Sequence, residues 1–212
     1  MLISKSEYML YLKHPAWLWI KKHAKHLMPP IDEALQARFD EGNAFEPVVE
    51  SLFPDLVNVG FDSYSEYLDM PERTVEAWEN GAEVVSQGRY EAGSITCISD
   101  IIRKDGDAFI LTEIKSSSSA KTEHALDLAF QKIVLEGAGY PIQKCEVAHV
   151  DSSYVRSGDI NPKELISFTD ITEEVDGLIE GTKVRIDKAI QIAEAPEMPD
   201  PARSKALADV IH

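Results

Sequence analysis

The segment from residue 83 to residue 115 constrains the fold more than any other region of the sequence. It is rich in β-branched residues, is divided by glycines and contains the pair Asp105-Gly106, which is typical of a tight hairpin turn. These features predict three antiparallel strands at about residues 83–91, 94–104 and 108–115. A sheet of this kind needs other elements to cover its apolar faces.

Helical patterns precede this meander. A first helix is predicted from Ser6 toward Trp19 unless Pro15 breaks it, and Asp32 caps a second helix at about residues 33–52. The next apolar pattern predicts one or two short helices that end at a glycine, residue 81.

The chain after the meander alternates between helix and strand. The patterns predict a helix near residues 120–139, a strand near 143–155 and a helix near 172–195. Because a crossover helix allows parallel pairing, we predict an α/β (α+β) fold with a central mixed β-sheet and flanking helices. The predicted organisation is a single domain, 1–195, made of a helical N-terminal region at 1–80, a core sheet with crossover helix at 81–151 and a C-terminal strand and helix at 152–195, followed by a tail at 196–212.

Composition excludes several classes of protein. No apolar run approaches the roughly 18 residues that a membrane-spanning helix needs, and no signal peptide is recognisable, which predicts a cytoplasmic protein without membrane contact. The two cysteines, Cys97 and Cys145, lie in apolar strand-like runs and are predicted to be buried free thiols.

The formal net charge of -16 argues against simple electrostatic attraction to nucleic acid. Residues 1–30 are an exception, because they hold five Lys and one Glu. There, basic side chains next to aromatic rings suit phosphates and bases, and the predicted nucleic-acid-binding residues are Trp17, Trp19, Lys21, Lys22 and Lys25. The alternative is an amphipathic helix with a solvated basic face.

Two carboxylates are predicted to meet across the hairpin. Asp100 lies six residues before Gly106 and Glu113 seven residues after it, so folding brings them nearly opposite each other. Facing carboxylates repel, and a divalent cation such as Mg²⁺ or Mn²⁺ would compensate. Lys115 lies two residues beyond Glu113 and shares its face of the strand. The alternative is an ordinary surface ion pair between Glu113 and Lys115.

An Asp, twelve intervening residues and Glu-x-Lys resembles the signature of the PD-(D/E)XK nuclease superfamily. The opening "SKSEYMLYLKHPAWLWIKKH", Glu46 after an "RF…G" stretch and Gln131 on the next helix are similar to RecB-like and CRISPR-associated exonuclease domains. The resemblance covers roughly residues 1–175. It implies a restriction-endonuclease-like core and hydrolysis of DNA phosphodiester bonds to leave 5′-phosphates.

The resemblance also implies roles for individual residues. The implied ligands of Mg²⁺ or Mn²⁺ are Glu46, Asp100, Glu113 and the backbone carbonyl of Ile114. Lys115 is expected to orient the attacking water or to neutralise the developing charge, and Gln131 to position Lys115 or the nucleophile.

Some family features are absent, and they keep other functions open. His14 stands where many relatives carry one of the four cysteines of an iron–sulfur cluster, and no Cys-rich tail follows, so no cluster is expected in this chain. Leu135 stands where RecB-like members often have a tyrosine, which puts DNA contact by that helix in doubt. The alternative functions are a non-catalytic nucleic-acid-binding or scaffold module of a larger helicase–nuclease complex, and a metalloenzyme acting on a small phosphorylated substrate.

Overall fold

The predicted meander forms the centre of the molecule. The computed structural model describes residues 1–201, apart from the side chains of residues 38 and 39, so residues 202–212 of the predicted tail lie outside the described residues. The strands are β1 (Ile3–Ser4), β2 (Leu56–Asn58), β3 (Val84–Ala92), β4 (Ile95–Asp105), β5 (Ala108–Lys115), β6 (Ile142–Val150) and β7 (Ile166–Asp170). The helices are α1 (Lys5–Lys13), α2 (Pro15–His23), α3 (Glu33–Glu50), α4 (Tyr64–Glu79), α5 (Thr122–Gly137), α6 (Pro162–Leu165) and α7 (Thr172–Glu194), with a 3-10 turn at Lys25–Leu27.

The strands form one mixed sheet of seven strands in the order β2-β3-β4-β5-β6-β7, with β1 paired to β4. The meander β3-β4-β5 is antiparallel, as the Asp105-Gly106 turn predicts. The crossover through α5 makes β6 parallel to β5, and β7 returns antiparallel to β6. The predicted fold class is therefore confirmed, and the arrangement is compatible with a restriction-endonuclease-like core.

Helices cover both faces of the sheet. Ile101 and Ile102 are neighbours in β4 and therefore point to opposite faces. Ile102 packs in the larger apolar cluster with Phe130 of α5, whereas Ile101 packs with Phe45 and Val49 of α3. Cys97 and Cys145 are free and buried, as predicted.

The first two helices begin at polar caps, with one difference from the sequence expectation. The first helix starts slightly earlier than expected, because Ser4 rather than Ser6 caps α1, in a capping box with Glu7. It ends at His14, which in turn caps α2, with Pro15 at the first position of the new helix. None of the helices in the described region of the chain combines the length and the apolar character that a bilayer-spanning helix needs.

Two short strands fall in the segment predicted to be wholly helical. β2 pairs in parallel with the start of β3, and β1 pairs in parallel with Ile95 and Thr96 of β4. Strands of two or three residues leave no periodic signal in a sequence, since alternation needs about four residues to be recognised. The position of β1 matters, because it brings α1 beside the predicted carboxylates Asp100 and Glu113.

Candidate active site

The sheet opens between β4 and β5 at the predicted carboxylates. Backbone pairing of these strands extends to Ile101 and Thr112, which places Asp100 and Glu113 side by side at the next position. There the amide of Ile114 donates to Oδ2 of Asp100 at 2.7 Å. The Asp100 carboxylate therefore accepts a backbone hydrogen bond that a carbonyl of the neighbouring strand would otherwise accept.

β1 occupies the edge of β4 where β5 has parted from it. Ser4 pairs with Thr96, and Lys5 follows directly as the first residue of α1. This position places the Lys5 ammonium 3.2 and 3.3 Å from the two carboxylate oxygens of Glu113, although 108 residues separate them in sequence. Lys5 was not among the residues that the sequence predicted, and its role depends on a two-residue strand.

Glu113 is the centre of the cluster, with its side chain 1% exposed. Besides Lys5, it is bound by Lys115, which shares its face of β5, and by the amide nitrogen of Gln131 at 2.6 Å. Gln131 therefore contacts the carboxylate rather than Lys115. Both lysines also approach Asp127, at 3.5 and 3.8 Å.

Asp127 is the second residue of the cluster that the sequence did not predict. It lies one helical turn before Gln131 in α5, and Gln131 Nε2 donates to its Oδ1 at 3.1 Å. The spacing of four residues was the available signal, because it puts both side chains on one face of the helix. The other amide atom, Gln131 Oε1, is buried without a hydrogen-bond partner in the described residues. Buried acceptors are usually paired with protein or with ordered water, so this unpaired atom is an exception that calls for a partner.

Burial and mutual repulsion raise the pKa values of the acids in the cluster, whereas the two lysines lower them, and the net direction differs from one acid to another. Burial raises the pKa of Asp100, and the Glu113 charge raises it further, to about 7. Burial alone would also raise the pKa of Glu113, but Lys5 and Lys115 outweigh it and hold this pKa well below its usual range. Burial and then Glu113 raise the pKa of Asp127 to about 6. Glu113 is thus the acid of the cluster that loses its proton most readily, and Asp100 and Asp127 hold theirs to higher pH.

Both lysines keep their charge. Burial lowers the pKa of Lys5 and of Lys115, but Glu113 and Asp127 more than compensate, so both ammonium groups have a pKa above their usual range. Lys115 is therefore a cation and a hydrogen-bond donor rather than a general base at neutral pH.

Glu46 approaches the same centre from α3. Its carboxylate accepts a hydrogen bond from the amide nitrogen of Gln87 at 3.4 Å. Burial, Glu50 and then Glu113 raise its pKa, which shows that Glu46 lies within electrostatic range of the cluster. Within residues 1–201, however, no three His, Cys, Asp or Glu side chains converge closely enough to be grouped as metal ligands.

The charge balance nevertheless fits a divalent cation. The cluster has four carboxylates and two ammonium groups, contributed by Glu46, Asp100, Glu113, Asp127, Lys5 and Lys115. When all are ionised, two negative charges remain uncompensated, and only protonation of the acids or a cation can offset them. Oxygen ligands of this kind suit Mg²⁺ or Mn²⁺.

The residues predicted to bind nucleic acid lie in α2 and just beyond it, and two of them make polar contacts within the protein. Lys22 donates to the Leu2 carbonyl and pairs with Glu7, both at 2.7 Å. Trp19 donates to the Ala195 carbonyl at 2.9 Å. Trp17 packs partly buried against the apolar cluster of α2, Lys21 is half-buried and Lys25 is exposed.

Comparisons with known proteins add one likeness. No protein-family model matches the sequence, and no curated protein matches it. Among solved structures, the fold is similar to that of a phage-related exonuclease from Haemophilus somnus 129PT, with 14% sequence identity over 91% of this chain and 93% of that chain and a TM-score of 0.39. A likeness at this identity and TM-score does not by itself indicate a function, which depends on the residues of the cluster.

Proposed function

We propose that this protein is a Mg²⁺- or Mn²⁺-dependent nuclease that hydrolyses phosphodiester bonds in DNA, and that it belongs to the RecB-like branch of the PD-(D/E)XK superfamily. The observation that carries the proposal is the cluster at the opening between β4 and β5. There, Asp100 and Glu113 stand side by side with Lys115 on the same face, and four carboxylates outnumber two ammonium groups. A structural ion pair would not need this excess.

The residues of the cluster have distinct roles in this proposal. Asp100 and Glu113, with Glu46 and the carbonyl of Ile114, would hold the cation. When bound, the cation would supply Lewis-acid stabilisation of the phosphate. Lys115, a permanent cation, would stabilise charge that develops on the phosphate oxygens.

Gln131 has two functions in this proposal. Its Nε2 fixes the orientation of Glu113, while its buried, unpaired Oε1 would accept a hydrogen bond from an attacking water admitted beside it. We further propose that the protein acts in the cytoplasm, on its own or as a subunit of a larger protein complex.

A cleavage assay tests this function. Labelled single- and double-stranded DNA is incubated with Mn²⁺, Mg²⁺ or EDTA, and wild type is compared with Asp100→Ala and Lys115→Ala. Cleavage is expected with either metal, and it should disappear in EDTA and in both variants. Glu146→Gln is the matched control, because Glu146 is an equally buried acid that faces away from the cluster.

Two outcomes would overturn the proposal. Cleavage that survives both substitutions would show that the site lies elsewhere. Metal-independent binding of DNA without any cleavage would instead support a non-catalytic module of a larger complex.

A further inference from the structure

Gln87 has an unusual backbone. Among the described residues it is the only one other than glycine with a positive φ, at 52°. This left-handed conformation is unfavourable for a residue with a long side chain, and glycine or asparagine adopts it more readily. Such strain persists where the surrounding structure requires it, and it is concentrated at functional sites.

The position of Gln87 in the sheet connects it to the cluster. In β3 and β4, Ser86 pairs with Ile101 and Gly88 with Ser99, so Gln87 stands opposite Asp100. Asp100 in turn lies beside Glu113. The strained residue is therefore level with both central carboxylates, one strand away from the first and two from the second.

The side chain of Gln87 reaches the remaining carboxylate. Its Nε2 donates to Oε2 of Glu46 at 3.4 Å, and this is the only hydrogen bond to the Glu46 side chain among the described residues. Phe45 and Val49 anchor this region of α3 in the core, but Glu46 itself is only half-buried. Without Gln87, nothing on the sheet would hold the Glu46 carboxylate toward the cluster.

We infer that Gln87 is a positioning residue, which holds the Glu46 carboxylate on the side from which it would close on a divalent cation bound by Asp100 and Glu113. The left-handed backbone directs the amide to Glu46, which explains why a residue unsuited to this conformation occupies it. The inference rests on the proposed metal-dependent function and adds a residue to that same site. If this left-handed position in β3 were purely structural, glycine or asparagine would suit it better.

The test measures stability and metal binding separately. Gln87→Gly and Gln87→Asn relieve the unfavourable backbone conformation. Both lose the hydrogen bond to Glu46, because glycine has no side chain and that of asparagine is one methylene shorter. Both variants should melt at the same temperature as wild type or higher. By calorimetric titration with Mn²⁺ in the absence of nucleic acid, both should bind about tenfold more weakly, as is typical when a partner of a metal ligand is removed.

A double-mutant cycle shows whether Gln87 acts through Glu46. In a Glu46→Ala background, Gln87→Gly should weaken Mn²⁺ binding no further. Lower melting temperatures with unchanged Mn²⁺ affinity would overturn the inference, and so would an equal loss of affinity in both backgrounds. Failure of the proposed function is a different result, in which wild type itself binds no Mn²⁺ and cleaves no DNA, and that result would overturn both.

Discussion

Two buried glutamates on opposite faces of one sheet show what distinguishes a functional acid from a structural one. Glu113 of β5 and Glu146 of β6 each have a side chain that is 1% exposed. Glu146 is bound by Arg103 at 2.6 Å, by Lys144 at 2.8 Å and by the hydroxyl of Thr112 at 2.9 Å. Lys144 also lies 4.0 Å from Asp170, so two cations face two acids here and the charges balance.

The Glu113 cluster has more acids than cations. Its two lysines face three further acids besides Glu113, so repulsion remains when all of them are ionised. Burial is the same in both places, and therefore burial alone identifies neither site. The ratio of acidic to basic side chains distinguishes the two sites, because a buried excess of like charge destabilises the fold and therefore indicates a function.

The largest expected difference is in catalysis. Asp100→Asn should reduce metal-dependent DNA cleavage by about a thousandfold, because a ligand that contributes several kcal/mol to charge stabilisation is lost. Its melting temperature should not fall, since the substitution removes a carboxylate from a repulsive cluster. Single-turnover cleavage rates, with Glu146→Gln as the control, check this prediction. Wild-type rates in Asp100→Asn would contradict it.

The second difference is in stability. Glu146→Ala should lower the free energy of unfolding by about 3 kcal/mol, because it leaves Arg103 partly buried without its partner. Cleavage per folded molecule should change less than about twofold. Urea denaturation and an assay at a temperature where the variant is folded measure the two quantities. A folded Glu146→Ala protein without cleavage activity would contradict the assignment of Glu146 as structural and Glu113 as functional.

Replacing the lysines sharpens the comparison. Lys5→Met should cost about 2 kcal/mol of unfolding free energy, because Glu113 and Asp127 then share one cation. Lys144→Met should cost less than about 1 kcal/mol, since this side chain is a third exposed and Arg103 still neutralises Glu146. Chemical denaturation of both variants tests this ranking. Equal losses of unfolding free energy would show that Lys5 has no special role in the cluster.

The smallest expected effect is a dependence on pH. The pKa of Asp100 is raised from 3.8 to about 7, so the folded state holds this proton more tightly than the unfolded chain. Its contribution to stability is complete below pH 4 and is lost as the pH rises through 7. The lowered pKa of Glu113 has the opposite sign, and its contribution is lost only in stronger acid.

Wild type should therefore lose stability relative to Asp100→Asn between pH 5 and pH 8 in EDTA, by roughly 1 kcal/mol or about 3 °C after solvent screening. Melting curves of both proteins across this range measure the difference. A difference that does not change with pH would show that Asp100 is not protonated in the folded protein.

The sequence predicted the centre of the fold and of the site. The Asp105-Gly106 turn fixes the register of the meander, and with it the proximity of Asp100 and Glu113. The resemblance to RecB-like domains singled out Gln131, the helical pattern placed it on the helix that follows β5, and the structure adds that its amide binds Glu113. These predictions succeed because hairpin register and helical periodicity are local properties of the chain.

The remainder depends on contacts that have no local signal. Lys5 reaches Glu113 only because two residues of β1 pair with β4 where β5 leaves it. The conformation of Gln87 likewise follows from the packing of three strands and α3, since glutamine does not favour a left-handed backbone. Asp127 was the exception, because its spacing from Gln131 was visible in the sequence.

The most direct test of the central claim is anomalous diffraction from crystals grown with saturating Mn²⁺. The charge balance of the cluster predicts a Mn²⁺ peak in contact with the carboxylates of Asp100 and Glu113. The absence of a peak at this cluster, with Glu113 still bound only by Lys5, Lys115 and Gln131, would contradict a metal-dependent function for this site.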